Sequence, residues 1–240
     1  MIAGSAIETM IAAEAERFAK AKPASAECAR RTAKHWHRGV PFHWMLDWGT
    51  PFPLFVKEAK GAHLWDLDGQ AFDDFCLGDT GAMFGHSPPP IAEAIAHQAS
   101  RGLTAMLPGE DSVVVGDALA SAFGLPWWQV TSSASEANRA VIRWCRGITG
   151  RDKILVFNGC YHGAVDDVFV DLRDGVPELR RSLVGQVYDV RDHTRVIEFN
   201  DRDALAAALA PGDVAAVLTE PALTNVGMVL PDAGYLDAMR

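Results

Sequence analysis

Three short apolar runs, Trp127–Val130, Lys153–Phe157 and Val214–Leu218, set the tightest limit on what this chain can fold into. They scarcely alternate with polar residues, which is the pattern of strands buried on both faces. Between the first two, Ala137, Val141, Trp144, Cys145 and Ile148 share one predicted helix face, with Glu136, Arg139, Arg143 and Arg146 opposite. Buried strands joined by amphipathic helices predict an α/β fold: a mostly parallel sheet flanked by helices. Ligands of such sheets bind beyond the carboxyl ends of the strands. The residues just after each run are therefore the candidate site.

Upstream, Ile7, Met10, Ile11, Ala15 and Phe18 recur at helical spacing until Pro23 ends the run, and a second helix is predicted from Ser25 to about His37. Residues 39–53 are rich in aromatics and prolines and predict an irregular loop. Leu54–Val56, His63–Trp65 and Ala71–Phe75, split by Lys60-Gly61 and Asp68-Gly69, predict a small antiparallel meander. Further helices are expected over Pro89–Ser100 and Asp111–Phe123. The expected domains are an N-terminal segment over 1–80 and a larger α/β domain over 81–240.

Of the 240 residues, 49% are apolar and 22% charged, which excludes a disordered or coiled-coil chain. A net charge of −9 argues against nucleic acid as a partner. Cys28, Cys76, Cys145 and Cys160 are too scattered for a disulfide framework, and they read as reduced thiols of a cytoplasmic protein. No apolar stretch is long enough for a signal peptide or a membrane span. His35, His37 and His43 lack an acidic partner, so no metal site is expected.

After the first run, Thr131-Ser132-Ser133-Ala134-Ser135-Glu136 opens a helix. Plain N-capping by Ser133 or Ser135 accounts for it, and so does a phosphate seat at the helix N-terminus. After the second run, Gly159-Cys160-Tyr161-His162-Gly163 offers a flat ring that either packs in the loop or stacks on a planar ligand. After the third, Glu220 needs a partner, and Asn225 suits either a ligand hydroxyl or a loop cap. A serine–histidine hydrolase pair between Ser133 or Ser135 and His162 is conceivable, but no G-x-S-x-G elbow is present. No G-x-G-x-x-G or P-loop points to nucleotide.

The ordered set Ser133-Ala-Ser-Glu-Ala, Gly150-Arg-Asp-Lys-Ile, Gly159-Cys-Tyr-His-Gly, Glu220-Pro with Asn225-Val-Gly, and Leu230-Pro-Asp-Ala-Gly-Tyr-Leu resembles the class III aminotransferases. Gly61-Ala-His-Leu-Trp-Asp-Leu-Asp-Gly, Gly85-His86 and Arg101-Gly102-Leu-Thr extend the likeness over about residues 50–240. These enzymes have the fold-type-I architecture and use pyridoxal 5′-phosphate; the glutamate-1-semialdehyde aminomutase branch looks most similar. The resemblance implies that Ser133, Ala134 and Ser135 bind the cofactor phosphate. It places Tyr161 on the pyridine ring with His162 beside it, and Glu220 and Asn225 near the ring's substituents. It further implies transamination or aminomutation between a small amino donor and a carbonyl acceptor, in a homodimer.

Two departures from the family pattern stand out. Ala134 replaces a glycine, which is tolerable only where the turn keeps a negative φ. The chain's lysines are Lys20, Lys22, Lys34, Lys57, Lys60 and Lys153, so the aldimine lysine that the family carries downstream of Glu-Pro is expected beyond Arg240, as is the small C-terminal domain. The 240 residues alone are then expected to be inactive, and a non-catalytic module that binds pyridoxal phosphate or a partner is the alternative. For the substrate, no arginine lies between Arg38 and Arg101, and His43, Trp44 and Trp48 are expected either to line an aromatic pocket or to seal a dimer interface.

Overall fold

The computed structural model describes residues 4–79 and 81–240. The chain divides into two compact units, Met1–Gly109 and Glu110–Arg240.

In the first unit, α1 (Gly4–Ala21) and α2 (Pro23–Thr32) meet at Pro23, whose missing N–H suits the first helical turn. A meander follows: β1 (Val56–Lys60), β2 (His63–Asp66) and β3 (Ala71–Asp73), antiparallel in that order. The first strand starts later and runs on past the apolar residues, because pairing with β2 carries it to the turn at Gly61. α2 stops at Thr32 rather than near His37: Trp36 is extended and Arg38 sits at φ 54°, so the helical bonds cannot continue. α3 (Pro89–Ala99) completes the unit's helices.

The Asp68-Gly69 turn does more than reverse the chain. The Asp68 carboxylate accepts the N–H groups of Ala24 (2.7 Å) and Ser25 (3.1 Å), capping α2 from outside the helix. Those bonds outweigh the desolvation of the carboxyl and hold its pKa below the usual range. Replacing Asp68 by alanine should destabilise the unit, as loss of an N-cap does, read as a lowered urea midpoint at unchanged slope.

The second unit holds α4 (Asp111–Phe123), α5 (Ala134–Thr149), β4 (Lys153–Phe157), β5 (Val170–Arg173), β6 (Val176–Leu179), β7 (Thr194–Ile197), α6 (Arg202–Leu209), β8 (Val214–Val217) and α7 (Tyr235–Met239). Its parallel sheet has the order β7-β4-β8. Central β4 explains the unalternating sequence. Leu155 and Phe157 pack on one side with Leu205, Leu223 and Tyr235, while Ile154 and Val156 pack on the other with Ile142, Val165 and Val190. β5 and β6 form a hairpin whose turn, Asp174-Gly175, has both φ values positive, the geometry that suits the right-handed twist of the strands.

Two expectations fail here. Trp127–Val130 is not a strand: no strand pairs with it among the described residues, and Trp127 and Val130 are 89% and 88% exposed. The sheet instead recruits β7, whose Thr194 and Arg195 disguise it. Thr194 donates to the Asp167 carbonyl, and Arg195 makes a two-pronged pair with Asp213 at 3.0 Å. On α5, Ile142 is the buried residue, whereas Val141, Trp144 and Ile148 are exposed. The buried stripe is rotated by about one residue from the predicted face, because Asn138 and Ile142 are drawn toward the strand-end loops and the sheet.

No helix among the described residues is long and apolar enough to cross a membrane.

Candidate functional site

The three stretches singled out after the apolar runs all belong to the second unit, and hydrogen bonds tie them together. Ser133 caps α5: its hydroxyl accepts the Glu136 N–H at 3.2 Å, while the Glu136 carboxylate reaches back to the Ser132 N–H at 2.9 Å. This reciprocal capping uses the third N–H of the helix. Among the described residues, the N–H groups of Ala134 and Ser135 are the donors left open in the first turn, at the positive end of a 16-residue helix. Ala134 keeps a negative φ, so its methyl imposes no strain on the turn.

The loop after β4 packs onto this turn. The Ser135 hydroxyl accepts the Ala164 N–H at 2.9 Å, and the Asn138 amide donates to the His162 carbonyl at 3.0 Å. Gly163, at φ 77°, lies so close that an added Cβ would fall on the Ser135 hydroxyl. Gly159 is pressed in the same way, since a Cβ there would lie 2.7 Å from Val226. The Tyr161 ring stays 58% exposed between its buried neighbours Cys160 and His162.

The loop after β8 joins through Glu220. One carboxylate oxygen accepts the Tyr161 N–H at 2.8 Å; the other accepts the Thr224 N–H at 3.2 Å and the Thr224 hydroxyl at 2.5 Å. Burial pushes the carboxyl's pKa upward, but these donors prevail and leave it lowered. Asn225 is linked to the same knot, its amide donating to the Thr224 hydroxyl at 3.3 Å. Beside the knot, at the carboxyl ends of β4 and β7, Asn158, Asp171, Glu198, Phe199 and Val226 line an open cleft of about 530 Å³.

His162 is 5% exposed, and neither ring nitrogen has a hydrogen-bond partner among the described residues. That excludes a serine–histidine pair, because neither Ser133 nor Ser135 bonds the imidazole. The ring lies against Phe169, whose face Arg180 covers. Desolvation, helped by the Arg180 charge, lowers its pKa to about 4, with Glu220 and Asp171 pulling the other way. Unfolding restores the ordinary value near 6.5, so the unfolded chain binds the proton more tightly. The stability due to neutral His162 is complete above pH 6.5 and is lost as the pH falls toward 4, by at most about 3 kcal/mol. His162→Phe should flatten that part of the stability–pH curve, measured by urea unfolding from pH 7 to 4. Cys160 is buried too, which pushes its thiol up to about 11 and leaves it an unreactive packing group.

His43, Trp44 and Trp48 belong to the first unit, where Phe42 and Trp44 stack at 5.5 Å and all three candidates are exposed. Sequence reading missed Thr224, Asn138 and Asn158. The last, just past β4, ties the loop to β5 through the Leu172 backbone and to Glu198. Its signal was its place at a strand end.

Comparison with known proteins gives the family of the chain. The model of the aminotransferase class-III family matches residues 45–240. Glutamate-1-semialdehyde 2,1-aminomutases from Methanothrix thermoacetophila and Neisseria meningitidis are 37% and 36% identical, over 79% and 78% of this chain and 45% of each relative. The chain thus spans about half the length of the curated relatives it matches. A solved glutamate-1-semialdehyde-aminomutase from Pseudomonas aeruginosa, also crystallised in complex with PMP, superposes with a TM-score of 0.93 at 53% identity, over 98% of this chain and 52% of its own. A β-phenylalanine aminotransferase from Variovorax paradoxus gives 0.84 at 26% identity, with the same coverage. The architecture is that of the fold-type-I aminotransferases, and the chain belongs to the class III aminotransferase family.

Proposed function

We propose that a protein carrying this chain is a pyridoxal-phosphate-dependent aminotransferase or aminomutase, and that these residues hold the cofactor's phosphate and ring. The observation that carries the reading is that the loop bearing the exposed Tyr161 is fastened to the first turn of α5, through the Ser135–Ala164 hydrogen bond and the close approach of Gly163 to Ser135. An anion at the helix start and a flat ring on the phenol fit one ligand that has both. The family and the PMP complex of the Pseudomonas relative point to the same ligand.

In this reading Ser133, Ala134 and Ser135 take the phosphate, the backbone N–H groups of the latter two donating to it along the axis of α5. Tyr161 covers the ring. His162, kept neutral by its burial, adds no positive charge beside it. Asn225 presents an amide to the ring's hydroxyl from the loop after β8, and Glu220 belongs to the same wall. When bound, the cofactor supplies the electron sink that lets an amino group move between a small amino donor and a carbonyl acceptor. The chain's own contribution is to aim it and to exclude water from one face.

Binding tests this directly. Pyridoxal 5′-phosphate should quench the chain's intrinsic fluorescence saturably, and Tyr161→Ala should weaken binding about two- to tenfold, the worth of one stacked ring. Saturable binding that Tyr161→Ala leaves unchanged would refute the assignment.

A further inference from the structure

Both oxygens of Glu220 are engaged by this chain's own donors, and those donors sit on two different loops. We infer that Glu220 is a positioning residue: its carboxylate binds the backbone of Tyr161 after β4 to Thr224 after β8, and so fixes the phenol and the Asn225 amide relative to each other without touching the ligand. This rests on the reading of Tyr161 as the ring platform, and it moves Glu220 from the ligand's contacts to the layer behind them.

The chemistry calls for a carboxylate and not merely a polar side chain. Three N–H or O–H donors converge on the two oxygens, and only a group with two acceptors serves them all. Glutamine would turn an N–H₂ toward either the Tyr161 N–H or the Thr224 N–H, opposing donor to donor. Glu220 is also only half-buried, so the lost bond opens to water and the core on either side of β4 keeps its packing. The seat of the phosphate at the start of α5 makes no bond to Glu220, so the two halves of the ligand should respond differently.

Affinities for pyridoxal 5′-phosphate and for inorganic phosphate, the latter measured by competition, separate the possibilities. Glu220→Gln should weaken pyridoxal 5′-phosphate about tenfold and leave inorganic phosphate unchanged. Thr224→Ala should show a smaller loss of the same kind, and Thr224→Ser should restore the original affinity. Amide hydrogen exchange should quicken at Tyr161 and Thr224 in Glu220→Gln while the β4 amides stay protected. Equal losses for both ligands, or exchange quickened throughout β4, would make Glu220 a merely structural residue and overturn the inference. So would a Glu220→Gln protein that binds as the parent does while Tyr161→Ala does not. If the parent fails to bind pyridoxal 5′-phosphate at all, the functional reading itself falls; the exchange rates then still decide whether Glu220 holds the two loops.

Discussion

Gly163→Val is expected to part the serine turn from the loop that carries Tyr161, and with it to lower affinity for pyridoxal 5′-phosphate about a hundredfold or more. Two independent penalties act at this position. The residue lies at φ 77°, where a β-branched side chain is strained by about 1–2 kcal/mol. The first added carbon would also lie on the Ser135 hydroxyl and 3.2 Å from the Ser135 Cα, so the backbone of α5's first turn has to retreat. Overpacking of this kind costs about 1–3 kcal/mol more. Together they give about 2–5 kcal/mol, against a Ser135–Ala164 bond worth about 1 kcal/mol. The bond yields first. The helix itself keeps its Ser133–Glu136 capping, so unfolding of the second unit should be affected less than ligand affinity. Fluorescence titration beside a urea unfolding curve reads both. Unaltered affinity with the substitution in place would show that Gly163 does not hold the two halves of the site together.

The pieces of the candidate site were legible in the sequence because they are local. Ser133 followed three residues on by Glu136 is readable as a helix start from spacing alone, and the glycines around Tyr161-His162 mark a tight path wherever they fall in space. β4 was legible for the same reason: five residues buried on both faces leave no room for polar side chains. β7 was not, because its arginine is neutralised by Asp213, 18 positions later, a pairing that no local pattern records. Trp127–Val130 erred in the other direction. Its composition suits a strand, yet a strand exists only through its partner, and among the described residues none pairs with it. The role of Glu220 was half legible. A carboxylate at a buried strand's end demands partners, but only the fold shows that donors from two loops of its own chain meet it.

Lys22→Met should destabilise the first unit by about 3–5 kcal/mol, the largest stability effect expected of a side chain remote from the candidate site. The Lys22 ammonium and the Asp66 carboxylate are paired with side chains 5% and 0% exposed; Gln70 accepts a further bond from the lysine at 2.6 Å, and Phe72 lies beneath it. Methionine fills the same length without charge, so packing survives and the loss is electrostatic: Asp66 is left buried without its counter-ion. The pair is also the tie between the helical start of the chain and the meander, since Asp66 accepts the N–H groups of Asp68 and Gln70 and thereby shapes the turn that caps α2. This predicts which second change restores stability. Asp66→Leu would orphan those two N–H groups, whereas Asp66→Asn keeps an oxygen for them and removes the charge. Lys22→Met combined with Asp66→Asn should therefore recover most of what Lys22→Met loses, and Lys22→Met combined with Asp66→Leu should not. Urea unfolding of the single and double variants measures the coupling. If Lys22→Met costs under about 1 kcal/mol, the pair behaves as a solvated surface pair, and the helix-to-meander tie rests instead on the bonds of Asp68 and of Ser25 to Phe55.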